Sequence, residues 1–438
     1  MIFIALIAIF AMSAMPYVTG WIAETAIHNW SEQLNLGNNE YGRFTIVSYE
    51  RGFRASKSRF SWSPKQTNGL QMDKELTIDC DGVHGVLSYS YDCHLLGVTG
   101  YSDFINTRLG GVDPIKVHGS INLLGENSQT LTLDAFDLEN KNGDIVNVYP
   151  GVFEIASDRD LSVFSVEGHF DGLNVNASDG KVTLGKTAII GEVWKNDHQL
   201  ALGGISINVN EVVIESQTQG NINIKQMVMQ SSSHENGENL TIGYELSANN
   251  FSQISESSAL SLSNLHLALS LDGLDMVQIR ALNKNMQALS TKAQSEKNAS
   301  LLGLLPVFES ILKPGLSLAV ELSADHKGEG VVAKVMLALT KKLSLGDFLL
   351  FSVNPKNIFT KINLEVDNQL PSSFLDEQTV LKQRVIAGPW HARSGNGYAS
   401  NFQINGGLIK LNGKNLEVDE LLALLGLRVS NRRWGRGL

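Results

Sequence analysis

Apolar and polar residues alternate with a period of two along most of this chain, but its opening stretch does not alternate. Residues 1–23 carry no charged side chain, and the first 42 residues contain no lysine or arginine. At ~1.5 Å rise per residue, 23 helical residues reach about 34 Å, enough for a hydrocarbon layer of about 30 Å. Helical spacing continues through Ala23, Ile27, Trp30 and Leu34, and Pro16 and Gly20 are tolerated in membrane helices. The stretch therefore predicts a retained N-terminal transmembrane anchor, with an extension to residue 36. The rival reading is a cleaved signal peptide, with Ala11-Met12-Ser13 as a small-x-small site. The lack of a basic segment ahead of the apolar run fits a start a few residues downstream of the natural one.

Beyond the anchor, alternation recurs at Leu131-Leu133-Ala135, Leu173-Val175-Ala177, Ile205-Ile207-Val209, Val212-Ile214 and Leu240-Ile242-Tyr244-Leu246. It returns at Leu265 to Leu271, Leu316 to Leu322 and Val331 to Leu339. Such runs build antiparallel sheet that is wet on one side. Turn pairs separate them: Asn142-Gly143, Asp179-Gly180, Asn236-Gly237 and Lys327-Gly328. Helices are expected over 275–295, 298–312, 372–386 and 417–426, with a short piece near 345–351. The 298–312 stretch contains Pro306 and is too short for a second membrane span, so it reads as a helix packed on the sheet. The fold class is mainly β with accessory helices (α+β): a membrane helix, then a large antiparallel, curved or sandwich-like body. The expected domains are an anchor and extension (1–36), a β-rich domain (40–274), a helical segment (275–315) and a β-rich C-terminal region (316–438).

With 43% apolar and 18% charged residues, the body can bury a core. A net charge of −10 argues against nucleic acid, which calls for a basic stripe. The basic cluster Arg428, Arg432, Arg433 and Arg436 reads as a solvated terminus. Cys80 and Cys93 are the only cysteines; in a tethered chain facing the periplasm, the pair reads as a disulfide. The alternative, a metal site of Cys80, His84, Cys93 and His94, lacks a C-x-x-C pair, and ligation by adjacent Cys93 and His94 is awkward.

Motifs that carry chemistry are scarce. Gly180-Lys181-Val182-Thr183-Leu184-Gly185-Lys186-Thr187 satisfies the phosphate-loop pattern G-x-x-x-x-G-K-[ST]. That loop needs a glycine-rich bend between strand and helix, whereas here the middle residues alternate like a strand, with the same parity expected to resume at Ile190. The ten histidines are scattered, and no G-x-S-x-G or H-E-x-x-H is present. The acidic pairs Asp134/Asp137 and Asp158/Asp160 sit at turns. No catalytic residue, cofactor, metal or nucleotide is expected.

Tyr49-Glu50-Arg51-Gly52 with Ser56 following, and Pro16-Tyr17-x-x-Gly20 before them, resemble the YdgA-like family of proteobacterial envelope proteins, a family of unknown function. The chain departs from the family pattern in placing Arg54 where phenylalanine is usual. The resemblance returns at Leu304-Leu305-Pro306, and at Gly407-Leu408-Ile409-Lys410-Leu411-Asn412-Gly413-Lys414, which is similar to the family's closing hairpin. It implies a β-rich body in the periplasm, tethered to the bacterial inner membrane by a single pass, and it implies no chemistry. Read from the residues alone, Tyr49 and Arg51 share strand parity, with the arginine expected across the ring, and Gly52 permits a bulge.

The functional expectation is a non-catalytic, membrane-anchored periplasmic protein that presents an apolar face to lipid or another hydrophobic ligand, with Leu133 and Ile207 on that face. Its partners are then the inner membrane and lipid or another envelope protein. A structural or adaptor protein with a closed β core is the alternative, and an enzyme without a recognisable motif is the third reading.

Overall fold

The structure is a computed structural model. It describes residues 2–36, 43–63, 76–96, 107, 109–139, 143–216, 220–255, 259–290, 305–350, 354–387 and 391–424, with the side chains of the first helix over 14–32 and at Asn35. Asn142, residues 291–304 and Arg428, Arg432, Arg433 and Arg436 lie outside the described residues. The chain forms two compact units, Met1–Thr218 and Gln219–Leu438.

In the first unit, α1 (Ile2–Leu36) leads into β1 (Arg43–Arg51), β2 (Ala55–Ser63), β3 (Leu76–His84), β4 (Ser88–Leu96) and β5 (Ile115–Asn122). Five longer strands follow, and four of them are each interrupted once. These are β6 (Asn127–Leu133) with β7 (Phe136–Glu139), β8 (Ile145–Val148) with β9 (Gly151–Ser157), β10 (Val163–Phe170) with β11 (Leu173–Ala177), and β12 (Gly180–Leu184) with β13 (Thr187–Lys195). The fifth, β14 (Ala201–Ser216), runs unbroken. Successive strands pair antiparallel in an open meander.

The interruptions line up into a crease. Tyr149 donates its N–H to the carbonyl of Gly172, Asp171 to Pro150, Gly185 to Glu211 and Asn210 to Lys186. The pairing register runs through the crease unchanged, as Leu133 opposes Gly151 and Phe136 opposes Val148, but the apolar pattern changes parity there: Leu131 and Leu133 give way to Phe136 and Leu138, and Ile207 and Val209 to Val212 and Ile214. Gly172 adopts φ +132°, and a Cβ there would run into the carbonyl oxygen of Leu184.

α1 docks on this sheet through Thr19, Ala23, Ala26 and Ile27, all buried and spaced along one helical face. Small residues let the helix lie close to β1, β3 and β4. The stretch expected over 1–23 as an anchor is shortened at its C-terminal end. Thr19, Gly20 and Ala23 pack against protein, and among the described residues no helix is long and apolar enough to cross a membrane.

The second unit repeats the meander with β15 (Gly220–Asn236), β16 (Asn239–Ile254), β17 (Ala259–Asp275), β18 (Ser317–His326), β19 (Glu329–Leu339) and β20 (Ile362–Pro371). β21 (Ala392–Ser394), β22 (Gly397–Asn405), β23 (Leu408–Leu411) and β24 (Lys414–Leu416) complete it. Directly opposed residues form the row Ile242–Leu271–Leu318–Leu337–Leu364–Ile404–Ile409. The parallel row on the other face, Glu245–Ala268–Glu321–Lys334–Asp367–Asn401, is polar apart from its alanine. Described helices of five residues or more, α1 aside, all follow residue 275. The expected 372–386 helix is two, Ser372–Glu377 and Thr379–Ala387, broken at Gln378, and a further helix at Pro355–Phe359 was not expected from the pattern. Ile358, Phe359 and Leu421 close a core over Leu339, Ile362, Ile404 and Ile409.

Candidate ligand-binding groove

One row of directly opposed residues crosses the whole first unit: Tyr49–Ser58–Cys80–Cys93–Val117–Leu131–Phe153–Gly168–Ile189–Ile207. It carries no charge. The row beside it on the opposite face is Glu50–Lys57–Asp81–Asp92–His118–Thr130–Glu154–Glu167–Ile190–Ser206, with an ion pair between Lys57 and Asp81 at 3.6 Å and a hydrogen bond between His118 Nδ1 and Asp92 Oδ1 at 2.8 Å. The sheet is thus sharply two-faced.

Under α1 the apolar row enters a cavity of about 290 Å³ lined by Trp30, Phe44, Phe60, Ile78, Tyr91 and Val117 among others. That is near the lower end of small-ligand cavities, about 300 Å³. No charged side chain lines it. Ser58 lies in its wall, 4% exposed, and its Oγ has no hydrogen-bond partner among the described residues. Two tyrosines beside it are satisfied: Ser56 Oγ donates to the Tyr89 hydroxyl at 3.1 Å, and the Tyr91 hydroxyl donates to Asn127 Oδ1 at 2.8 Å. Burial pushes the hydroxyls of Tyr49, Tyr89 and Tyr91 up, so all three stay neutral. Burial likewise pushes the His84 imidazole down. The interior offers neutral hydrogen bonding and apolar surface, with no acid–base pair.

The sheet curls to reach α1 from two sides. Asn35 exchanges hydrogen bonds with the backbone of Phe44 at the start of β1, while Trp30 Nε1 donates to the Arg159 carbonyl in the β9–β10 turn at 3.1 Å. Beyond the cavity, and among the described residues of the first unit, β6 to β14 pack mainly against the adjacent strands of the sheet. Leu133 and Ile207 sit half-buried on this uncovered apolar face. Taking five strand intervals at about 4.8 Å, the face from β5 to β14 is roughly 24 Å across, and at about 3.3 Å per residue it lengthens from about 26 Å at β5 to about 53 Å at β14.

Cys80 and Cys93 are disulfide-bonded across directly opposed positions, Cα to Cα 4.0 Å. Among the described residues no cluster able to hold a metal is present. Residues 180–184 are paired on both sides, with β11 and β14, and Lys186 at the crease pairs with Asp171 at 3.1 Å. A strand held in this way cannot wrap phosphate. The parity expected to resume at Ile190 does not. The crease shifts it to Ile189, and Ile190 faces out, 55% exposed.

The motif residues divide by place. Arg51 lies across the ring of Tyr17 rather than Tyr49, 4.8 Å from its centroid, and pairs with Glu24 at 2.8 Å. Gly52 donates its N–H to Ala55 in the β1–β2 turn, and Gly20 leaves room for the His84 ring. Asn412 and Gly413, at φ +51° and +79°, make the two-residue turn between β23 and β24. Ser58, Tyr89 and Tyr91 were not singled out from sequence, and Trp30 only for its helical spacing, although Tyr89-Ser90-Tyr91-Asp92-Cys93 alternates plainly.

Residues 1–419 match the family described as "Bacterial protein of unknown function (DUF945)". The chain belongs to that family. The match is compatible with the YdgA-like resemblance of its motifs. No curated protein and no solved structure matches the chain.

Proposed function

We propose that the chain is a non-catalytic envelope protein, tethered to the inner membrane with its body in the periplasm, that holds lipid acyl chains along the apolar face of its curled sheet. One observation carries this reading: the charge-free row that leaves the cavity at Val117 and continues through Leu131 to Ile207 on a face that no second layer of the first unit covers among the described residues. An apolar face of this extent, far above a few hundred Å², marks an interaction surface. Its neutral lining suits methylene chains, and the Ser58 hydroxyl offers one polar contact. The disulfide supports an oxidising compartment. The uncharged start of α1 supports a membrane tether.

The test is lipid extracted from protein purified in mild detergent and identified by mass spectrometry. Wild type should carry phospholipid. Leu133→Glu and Ile207→Glu should each lower it at least about tenfold, because burying a carboxylate against acyl chains costs well over the ~1.4 kcal/mol that tenfold represents. Thr130→Glu, on the opposite face, should leave it unchanged. Lipid-free wild type would leave the adaptor reading in its place.

A further inference from the structure

Three hairpin turns of the first unit hold large apolar side chains in solvent. Phe53, 53% exposed, stands in the β1–β2 turn, Leu87, 67% exposed, in the β3–β4 turn, and Leu124, 71% exposed, in the β5–β6 turn. Register puts all three turns at one end of the sheet, since Arg51 opposes Ser56, His84 opposes Tyr89 and Ser88 opposes Asn122.

α1 leaves the sheet among these turns. Thr19 Oγ1 donates to the Gly85 carbonyl at 2.8 Å, and Arg51 reaches back to Tyr17. Asn35 is bonded at the other end of β1, to Phe44. The helix therefore runs along the sheet toward the turns, where Pro16 is buried, and its earlier residues continue the helix from there. In sequence, Ile2 to Pro16 has no charge and Ser13 as its sole polar side chain. Tyr17 and Trp21 stand more than half exposed where the helix passes the turns.

Aromatic residues at the end of an uncharged apolar helix are the arrangement found at a membrane–water boundary. Apolar turn tips around the same exit add to that surface, and exposed Arg54 beside Phe53 supplies a cation at head-group depth. We propose that the β1–β2, β3–β4 and β5–β6 turns form a collar that seats in the head-group layer of the bilayer around α1, holding this end of the sheet against lipid. The proposal rests on the membrane tether but not on what the groove carries.

The described residues leave no free thiol, so Leu87→Cys, Leu124→Cys and Val112→Cys each give one labelling site. Val112 is 62% exposed and precedes β5, at the opposite end of that strand. Each full-length variant, labelled with an environment-sensitive fluorophore, is reconstituted in phosphatidylethanolamine–phosphatidylglycerol vesicles containing brominated acyl chains. Labels at 87 and 124 should shift to the blue and be quenched at least twofold, while the label at 112 is unaffected. Labels at 87 and 124 that stay water-exposed on vesicle-bound protein would overturn the collar and leave the tether standing. A blue shift without quenching would mean contact with another protein and overturns it too. Protein that vesicles do not retain would defeat tether and collar together, and the lipid content of the Ile207→Glu variant is read independently of all three.

Discussion

Ser58, Cys80 and Cys93 lie side by side on three neighbouring strands, and each has its own measurable consequence. A buried hydroxyl without a partner costs folding free energy, so Ser58→Ala in lipid-free protein should raise stability, by about 1 kcal/mol, in urea unfolding. A loss of stability would mean the hydroxyl is satisfied. The disulfide spans 13 positions, and removing it by Cys80→Ser with Cys93→Ser should cost about 3 kcal/mol in the chain-entropy account. In the second unit, hydrogen bonding from Lys361 holds the Asp347 carboxyl down at about 2. A depressed carboxylate stabilises the fold above its unfolded pKa, and that contribution disappears as pH falls through the folded value. The melting temperature should therefore fall between about pH 4 and about pH 2, and Asp347→Asn should flatten that part of the profile. An unaltered slope in the variant would remove Asp347 from the account.

At the scale of elements, the crease and the docked helix carry the geometry. Gly172→Val forces a β-branched residue into a positive φ against the Leu184 carbonyl, and should cost on the order of 2 kcal/mol or more by denaturant titration. Ala23→Leu crowds a fully buried contact of α1 and should cost about 1–3 kcal/mol. Period two is readable within each strand because side chains alternate faces, which is how mainly β architecture and the late helices could be read from residues alone. The crease was harder to read. Its signature is a change of parity, as between Val209 and Val212, and a change of parity in one strand looks the same as the end of that strand. Only the pairing of Gly185 with Glu211 and of Tyr149 with Gly172 shows that the changes align. The Gln378 break has a similar cause, because helical periodicity runs through a single residue with non-helical backbone.

At the scale of the whole molecule, each unit is an open antiparallel sheet with one apolar face and one polar face. Alternation announces such faces, but not what covers them. That depends on contacts distant in sequence, such as Trp30 with Arg159, for which no local pattern exists. For the same reason the anchor stretch looked uniform, although its last residues are committed to the sheet. Arg51 found Tyr17, 34 residues away, rather than Tyr49 on its own strand. The central claim is that the uncovered face of the first unit touches acyl chains in the cell. The most direct measurement places a photo-crosslinking amino acid in turn at Phe153, Glu154, Ile189 and Ile190, irradiates living cells and determines the mass of each adduct. Phe153 and Ile189 belong to the apolar row, while their neighbours Glu154 and Ile190 belong to the polar side. Lipid adducts at 153 and 189, with none at 154 and 190, are the predicted result. Adducts of equal yield at all four positions, or protein adducts alone at 153 and 189, would contradict it.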